Sequence, residues 1–284
     1  MKLLIAGAGG QLGRALQSMV PPDSRVVAPP EAEFDITDAA AVARVVAASG
    51  ATHLVNAAAY TAVDKAEADL DRARRINVDA VATLGGAARA NGLSFVHVST
   101  DFVFDGTASS PYAPDAATNP LGAYGVTKRD GEIAAGADAL IVRTAWVYAA
   151  AGSNFVHTML RVMAERPEVR VVADQIGTPT HADGLARAIW TLAGAGQTGT
   201  FHWTDAGVAS WYDFAVAIQE EALAIGLLQK AVPVIPIRTA DYPTPARRPA
   251  YSVLDKTGTW AITGPARHWR DELRDCLAMM KATA

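Results

Sequence analysis

The sequence predicts an α/β protein with a doubly wound parallel sheet and a smaller C-terminal domain. Three observations predict this fold: apolar runs alternate with alanine-rich helical segments, the first run ends in a glycine-rich turn, and the pattern becomes irregular in the second half. Continuous apolar strands between helices are typical of a parallel sheet that is covered on both faces. Right-handed crossovers then wind such a sheet in both directions.

The elements of the first half follow one another in regular order. Strands are predicted in the apolar segments "KLLIAGA", "RVVAP", "HLVNAAA", "SFVHVST" and "LIVRTAWVY". Helices are predicted at residues 11–20, in "AAAVARVVAAS", through "AVATLGGAARANG" and from Tyr124 to Gly136. Each strand is therefore joined to the next through a helical segment, as parallel pairing requires.

The second half, after Tyr148, is less regular. Helices are predicted at residues 154–166 and 182–194, and tryptophans and prolines are denser from residue 200 onward. The segments "VRVV" and "GTFHW" are both candidates to join the main sheet. The predicted division is therefore interleaved: the main domain comprises residues 1–150 and roughly 169–204, and the smaller domain comprises roughly 151–168 and 205–284.

Composition limits the class of protein. The chain has 284 residues, 50% of them hydrophobic, which is enough to form a sizeable hydrophobic core. Its net charge is −4, and no run of basic residues indicates nucleic-acid binding. The single cysteine, Cys276, excludes an internal disulfide and a cysteine-rich metal site, and its amphipathic surroundings predict packing. Since the apolar start is short and no stretch approaches the ~20 apolar residues of a membrane span, we expect a cytoplasmic protein without a membrane partner.

The glycines of the first turn predict a dinucleotide site of the Rossmann type. Gly7, Gly10 and Gly13 are spaced three apart between a strand and a helix. Such glycines permit a tight turn, close approach to a pyrophosphate and close packing of helix on strand, and the helix N-terminus offers free N–H groups to the phosphates. A merely flexible turn is the alternative interpretation. We expect the main domain to bind the dinucleotide and the smaller domain to bind substrate.

The second strand bears on the choice between NADPH and NADH. An acidic residue at its end usually binds the ribose 2′-hydroxyl, but here the strand ends in "APP", and Glu31 and Glu33 come slightly late. Arg14, just past the last glycine, could face a 2′-phosphate or be an ordinary solvated helix residue. The pattern favours NADPH and leaves NADH open.

A tyrosine and a lysine supply candidate acid–base chemistry. Tyr124 and Lys128 are four residues apart, so on a helix they share a face. A free phenol is too weak an acid for efficient catalysis at neutral pH, and we expect the neighbouring ammonium to lower the pKa of Tyr124. A surface tyrosine packed on a lysine side chain is the alternative.

Hydroxyl residues end the strand that precedes this helix. In "VHVST", Ser99 and Thr100 close the strand and Asp101 follows. Ligands of doubly wound sheets bind beyond the carboxyl ends of the strands, so Thr100 is expected in the crevice of the glycine loop. The pattern predicts carbonyl reduction: the nicotinamide gives hydride, Tyr124 a proton, Thr100 orients the oxygen, and Lys128 holds the ribose.

With these residues the sequence resembles the extended short-chain dehydrogenase/reductases and, within them, the dTDP-4-dehydrorhamnose reductase family, over nearly the whole chain. The motifs that carry the resemblance are "GAGGQLGRAL", "FDITD", "VNAAAYTAVDKAE", "STDFVFDG", "NPLGAYGVTK", "RTAWVY", "NFVHTML", "DQIGTPT" and "YPTPARRPAYSVLD". The implied activity is NAD(P)H-dependent reduction of the C4 keto group of dTDP-4-dehydro-β-L-rhamnose to dTDP-β-L-rhamnose.

The resemblance and the glycine loop together imply two sets of binding residues. Those for the cofactor are Gly7, Gly10, Gln11, Leu12, Gly13, Arg14, Asp35, Ile36, Ala59, Tyr60, Thr61 and Val98, with Tyr124 and Lys128. Those for the nucleotide sugar are Val63, Thr100, Asp101, Trp146, Arg247 and Arg248. Either arginine could reach the diphosphate, since forked donors suit that group. For Trp146 a core role is the alternative to contact with the sugar.

Three alternatives stay open. Another 4-ketosugar reductase would add hydride to the other face and give a 6-deoxytalose product. A non-catalytic regulatory subunit would bind cofactor without turnover, although Thr100, Tyr124 and Lys128 are all present. A dehydratase is disfavoured because no glutamate adjoins Asp101. The resemblance also implies magnesium at a homodimer interface, but the six scattered histidines show no metal-ligand spacing.

Overall fold

A six-stranded parallel sheet dominates the computed structural model, which describes residues 1–283. With strands numbered along the chain, it contains β1 (Lys2–Ala6), β2 (Arg25–Val27), β3 (His53–Asn56), β4 (Ser94–Thr100), β5 (Leu140–Thr144) and β10 (Gly199–His202). Their order is β10-β5-β4-β3-β1-β2. The chain thus runs outward from β1 in one direction and from β3 in the other, which opens a crevice at the carboxyl ends of these two strands.

Helices cover both faces of this sheet. In chain order the helices of the protein are α1 (Gln11–Ser18), α2 (Ala39–Ser49), α3 (Val63–Ala66), α4 (Leu70–Arg74), α5 (Ala80–Ala90), α6 (Ala123–Ala135), α7 (Phe155–Glu165), α8 (Ala182–Gly194), α9 (Trp211–Ala224), α10 (Thr257–Thr263) and α11 (Trp269–Thr283). A π-helical segment, Arg75–Asp79, joins α4 to α5, and two short 3₁₀ segments cover Asp101–Val103 and Thr239–Asp241.

The pleat of β1 divides the core between the two faces of the sheet. Leu3 and Ile5 belong to the same buried cluster as residues of α1 and α8. Leu4 and Ala6 point the other way and cluster with residues of α2 and α5. Because both faces of the strand are buried, its sequence is continuously apolar rather than alternating, as the sequence predicted.

Three two-stranded sheets complete the fold. They pair β6 (Val147–Tyr148) with β9 (Thr180–His181), β7 (Val169–Val172) with β12 (Val234–Ile237), and β8 (Ile176–Gly177) with β11 (Ala209–Ser210). Of the two segments that were candidates for the main sheet, "GTFH" joins it as β10, whereas "VRVV" does not: β7 pairs with β12 instead. Val169 and Val171 lie in the core formed by α7, α9 and α11, which buries that strand away from the main sheet.

The second core also contains the single cysteine. Cys276 on α11 is fully buried there, which confirms the predicted packing role. No helix within residues 1–283 combines the length and apolar character needed to cross a membrane. The division of the chain into two domains stays a prediction.

Candidate active site

A cleft of about 950 Å³ lies at the carboxyl ends of β1, β3, β4 and β5. This volume is at the upper end of the roughly 300–1,000 Å³ typical of ligand sites. Most of the predicted site residues line it: Gly7, Gly10, Gln11, Leu12, Asp35, Ile36, Ala59, Thr61, Val98, Thr100, Tyr124, Lys128 and Trp146. The structure therefore brings the glycine loop and the proposed acid–base residues to one cavity.

The glycine loop is built for close approach of backbone to backbone. Gly7 has φ +81°, and a Cβ there would lie 2.7 Å from the Ala58 nitrogen. A Cβ on Gly13 would lie 2.2 Å from the Gly7 carbonyl oxygen, so this glycine packs beneath the loop rather than in the cleft. Helix α1 begins without a side-chain cap and without an acidic residue in its first turn. Gly10, Gln11 and Leu12 at this helix start line the cleft, and a first turn has free N–H groups, an arrangement that fits the pyrophosphate of a dinucleotide.

Acidic groups line the cleft beyond β2, where the adenosine part of a dinucleotide binds in this fold. Glu31 and Asp35 both contribute to the wall. Asp35 accepts hydrogen bonds from the Thr37 backbone N–H and hydroxyl, both at 2.8 Å, and these bonds lower the pKa of its carboxyl group. Arg14 is not in the wall: its exposed guanidinium donates to the Gly9 carbonyl oxygen at 3.0 Å. Within residues 1–283 no arginine lines this cleft, although Arg75 lies near enough to Asp35 to lower the pKa of its carboxyl group further.

Tyr124 lies at the start of α6 in an apolar environment. Its ring packs edge-on against the ring of Phe102, with 5.5 Å between the ring centroids. Tyr60, predicted to bind the cofactor, and Val63, predicted to bind the sugar, pack in the same cluster and do not line the cleft. Burial raises the pKa of Tyr124 to about 12; Asp101 raises it further and Thr100 opposes the rise. In the protein without ligands, the cost of desolvating a phenolate dominates this pKa. The expectation that the Lys128 ammonium lowers it stays a prediction.

Lys128 is 2% exposed and faces the same cleft. Its Nζ donates to the Val98 carbonyl oxygen at 2.7 Å and lies 3.3 Å from His97 Nε2. Burial lowers the pKa of Lys128 to about 8, although Glu132, one turn further along α6, acts in the opposite direction. Of the two acid–base residues, Lys128 therefore has the pKa closer to neutrality, since that of Tyr124 is about 12.

Thr100 and Asp101 form a hydrogen-bonded pair where β4 ends. The Thr100 hydroxyl donates to Asp101 Oδ1 at 2.9 Å and accepts from the Phe102 N–H at 3.2 Å. Burial raises the pKa of Asp101 to about 6, against the effect of the neighbouring Ser252 and Thr100 hydroxyls. Thr100 lines the large cleft, whereas Asp101 lines a smaller adjoining pocket.

That pocket, of about 70 Å³, shares Trp146 with the wall of the cleft. Trp146 has an unusual φ of +48° and stacks on Trp211 at 3.7 Å with the rings 11° apart. A positive φ in a bulky residue costs free energy and is found where the surrounding structure enforces it, commonly at functional sites. Arg248 also lines the pocket, and its guanidinium donates to both oxygens of Asp64, at 3.1 and 2.8 Å. Arg247 is exposed.

Comparisons with known proteins agree with this geometry. The family model described as "RmlD substrate binding domain" matches residues 1–282. A dTDP-4-dehydrorhamnose reductase of Burkholderia thailandensis is 46% identical over 89% of this chain and 90% of its own. The chain belongs to the dTDP-4-dehydrorhamnose reductase family. The crystal structure of a dTDP-4-dehydrorhamnose reductase from Clostridium acetobutylicum is 39% identical, has a TM-score of 0.92, and covers 99% of this chain and 100% of that one. A second, from Bacillus anthracis in complex with NADP, is 33% identical with a TM-score of 0.90 over 98% and 99% of the two chains.

This member of the dTDP-4-dehydrorhamnose reductase family carries a buried ion pair that sequence reasoning missed. Arg143 on β5 donates to Glu132 on α6 at 2.7 and 2.9 Å, and the Ser99 hydroxyl donates to the same carboxylate at 2.5 Å. The spacing of Tyr124, Lys128 and Glu132, four residues apart each time, was the available signal in the sequence. Trp211, which lines the small pocket, lies outside the recognised motifs and had no such signal. Ser252 lines the same pocket and lies within the motif "YPTPARRPAYSVLD", but it was not singled out there.

The charged side chains of this reductase-family protein offer no metal centre in the part that the structure describes. No group of three or more His, Cys, Asp or Glu side chains within residues 1–283 is arranged to hold a metal ion. The expectation about magnesium and a homodimer stays a prediction.

Proposed function

We propose that this protein reduces the C4 keto group of dTDP-4-dehydro-β-L-rhamnose with NADPH and gives dTDP-β-L-rhamnose. The observation that carries the proposal is that Thr100, Tyr124 and Lys128 line one cleft with the glycine loop. The names of the relatives support the substrate, and the NADP bound to the Bacillus anthracis relative supports the cofactor. NADH stays an alternative, since Glu31 and Asp35 line the adenosine end of the cleft.

The reduced nicotinamide, when bound, supplies hydride to the carbonyl carbon. The Thr100 hydroxyl orients the carbonyl oxygen. As negative charge develops there, Tyr124 donates its phenolic proton: the phenolic O–H bond breaks, the alcohol O–H bond forms, and the phenolate later regains a proton from solvent. With its pKa raised by burial, Tyr124 keeps its proton in the protein without ligands, and the Lys128 ammonium would make it a stronger acid during the reaction.

The remaining residues bind and orient. Lys128 would hold the nicotinamide ribose and, as the ammonium, stabilise the phenolate of Tyr124. Trp146 presents an apolar ring between the cleft and the small pocket, where the deoxysugar would pack. Arg248, held by Asp64 at the edge of that pocket, would bind the diphosphate, a role for which we now favour it over the exposed Arg247. A homodimer and a cytoplasmic location belong to the same proposal.

The test is turnover with an identified product. Purified protein is incubated with enzymatically prepared dTDP-4-dehydro-β-L-rhamnose and NADPH or NADH in turn, oxidation of the nicotinamide is followed by absorbance, and the product is identified by NMR. The rhamnose configuration at C4 is the expected result. A 6-deoxytalose product would contradict the assigned stereochemistry, and tight NADPH binding without turnover would contradict the enzymatic function.

A further inference from the structure

A chain of buried polar groups lies behind Lys128 and plays no part in the reaction proposed above. His97 on β4 and Asn56 on β3 are both 0% exposed, side by side in the sheet. His97 Nδ1 is 3.1 Å from Asn56 Nδ2, and His97 Nε2 is 3.3 Å from Lys128 Nζ. The imidazole thus connects a buried amide to the lysine of the cleft.

The orientation of the Asn56 amide is fixed by the backbone. The Ala58 N–H donates to Asn56 Oδ1 at 3.1 Å, which identifies that atom as the oxygen. The amide NH₂ group therefore faces His97 Nδ1, and an NH₂ group only donates. Nδ1 must accept this hydrogen bond, so a neutral imidazole carries its proton on Nε2.

This tautomer directs an N–H at Lys128. An ammonium at Nζ has only donors and meets the His97 N–H as a second donor, whereas the neutral amine has a lone pair that accepts from it. In both forms Nζ can still donate to the Val98 carbonyl oxygen at 2.7 Å. The contact with His97 is therefore favourable for the amine and unfavourable for the ammonium.

We propose that His97 is a positioning residue for Lys128: held by Asn56 as the Nε2–H tautomer, it fixes the place of Nζ and disfavours the ammonium form. Its consequence for catalysis rests on the proposed function, because a loosely held proton on Lys128 limits the pH range in which Tyr124 has a cationic neighbour. The tautomer itself can be observed without cofactor or substrate.

None of the other charged groups around Lys128 explains why its ammonium form is disfavoured. Glu132, on the same helix, favours the ammonium, but its carboxylate is already bound to Arg143 of β5. Arg74, from the helical segment packed against α6, pairs with Asp130. Tyr124 is uncharged, since its pKa is about 12. The imidazole itself stays neutral, because burial and Lys128 both lower the pKa of His97 well below its ordinary value.

The first test observes the tautomer directly. In ¹⁵N-histidine-labelled protein without ligands, two-bond ¹⁵N–¹H correlation spectra distinguish the two neutral tautomers, and His97→Asn assigns the signals. We expect the neutral Nε2–H tautomer from pH 6 to 9. An Nδ1–H tautomer or an imidazolium ion in that range would overturn the proposal, whatever the enzymatic activity turns out to be.

The second test measures the proton affinity of Lys128. His97→Asn keeps an amide near Asn56 but removes the N–H that faces Nζ. In ¹³C-lysine-labelled protein, with Lys128→Met for assignment, the titration midpoint of Lys128 should rise by about one pH unit in His97→Asn. The control is His53→Asn, since His53 lies at the amino end of β3, away from the cleft, and should leave the midpoint unchanged. An unchanged midpoint in a folded His97→Asn variant would contradict the proposal.

Discussion

Glu132 on α6 and Arg143 on β5 form a buried bidentate ion pair that fastens the helix of Tyr124 and Lys128 to the sheet. Their side chains are 9% and 6% exposed, and the shorter of the two contacts is 2.7 Å. Ser99 and Arg143 are register partners on adjacent strands, so the pair ties β4, β5 and α6 together. The placement of the acid–base residues therefore depends on a contact one turn beyond them.

Glu132→Gln should destabilise the protein strongly, because it leaves the Arg143 guanidinium buried without a counter-charge. Breaking one partner of a buried pair costs about 3–5 kcal/mol. Denaturant unfolding monitored by circular dichroism gives the free energy of unfolding. The matched control is Glu165→Gln, which removes the exposed pair with Arg161 and should cost less than about 1 kcal/mol. Equal losses in the two variants would show that the buried pair is not an anchor.

Gly13→Ala should damage the cofactor loop, because the new Cβ would lie 2.2 Å from the Gly7 carbonyl oxygen and 2.8 Å from Ala8. Such overpacking costs about 1–3 kcal/mol and displaces the loop, so we expect NADPH affinity to fall about tenfold or more. Isothermal titration calorimetry measures the affinity. Gly86→Ala is the control, since its Cβ has no atom within 4 Å and lies within a helix. NADPH binding that is unaffected in Gly13→Ala would contradict the tight packing of this turn.

The alkaline limb of activity should come from Lys128 rather than from Tyr124. The pKa of Lys128 is lowered to about 8 and that of Tyr124 is raised to about 12, so the ammonium loses its proton first as the pH rises. Turnover should decline above pH 8 while the phenol remains protonated. The measurement is kcat/KM for the nucleotide sugar from pH 6 to 10 at saturating NADPH. A profile that stays flat to pH 10 would exclude Lys128 as the group responsible.

The same titration predicts a contribution to stability. The folded protein binds the Lys128 proton more weakly than the unfolded chain, so the unfolded chain holds more protons above pH 8. This group therefore destabilises the fold below pH 8, and the penalty is relieved as the pH rises towards the ordinary lysine value. Relative to wild type, Lys128→Met should gain most stability below pH 8, by denaturant unfolding across this range. A stability difference between the two proteins that is the same at pH 7 and pH 10 would contradict the lowered pKa.

Asp64→Asn should weaken substrate binding more than it slows the chemical step. Asp64 accepts two hydrogen bonds from Arg248 and one from the Ala246 N–H, and so holds the loop beside the small pocket. We expect KM for the nucleotide sugar to rise about three- to tenfold with kcat little changed, because the residue acts through the position of Arg248. Asp241→Asn, which removes an exposed pair with Arg238, should leave both constants unchanged. A fall in kcat alone would place Asp64 in another role.

The sequence predicted the parts of this site that follow from strand order. Gly10 and Thr100 meet in one cleft because parallel strands end at the same edge, and Tyr124 and Lys128 share a face because they are one helical turn apart. The contact of His97 with Lys128 and the pair of Glu132 with Arg143 depend on how α6 sits on the sheet, which periodicity does not specify. The raised pKa of Tyr124 likewise depends on burial in the folded protein.

The sequence also did not predict which distant segments contact each other. The partner of β7 is β12, more than sixty residues later, and nothing in "VRVV" distinguishes that partner from the main sheet. Trp146 was singled out at a strand end, but its stacking partner Trp211 lies in another element without a recognisable motif. Both contacts arise from the packing of the second half of the chain.

The most direct test of the central claim is the Tyr124→Phe variant in a single-turnover experiment. With NADPH and dTDP-4-dehydro-β-L-rhamnose at saturation, we expect the rate of nicotinamide oxidation to fall about 10²- to 10⁴-fold, while calorimetry shows unchanged NADPH affinity. Such a result identifies the phenol as the proton donor of the reduction. A variant that oxidises NADPH at the wild-type rate would contradict the account.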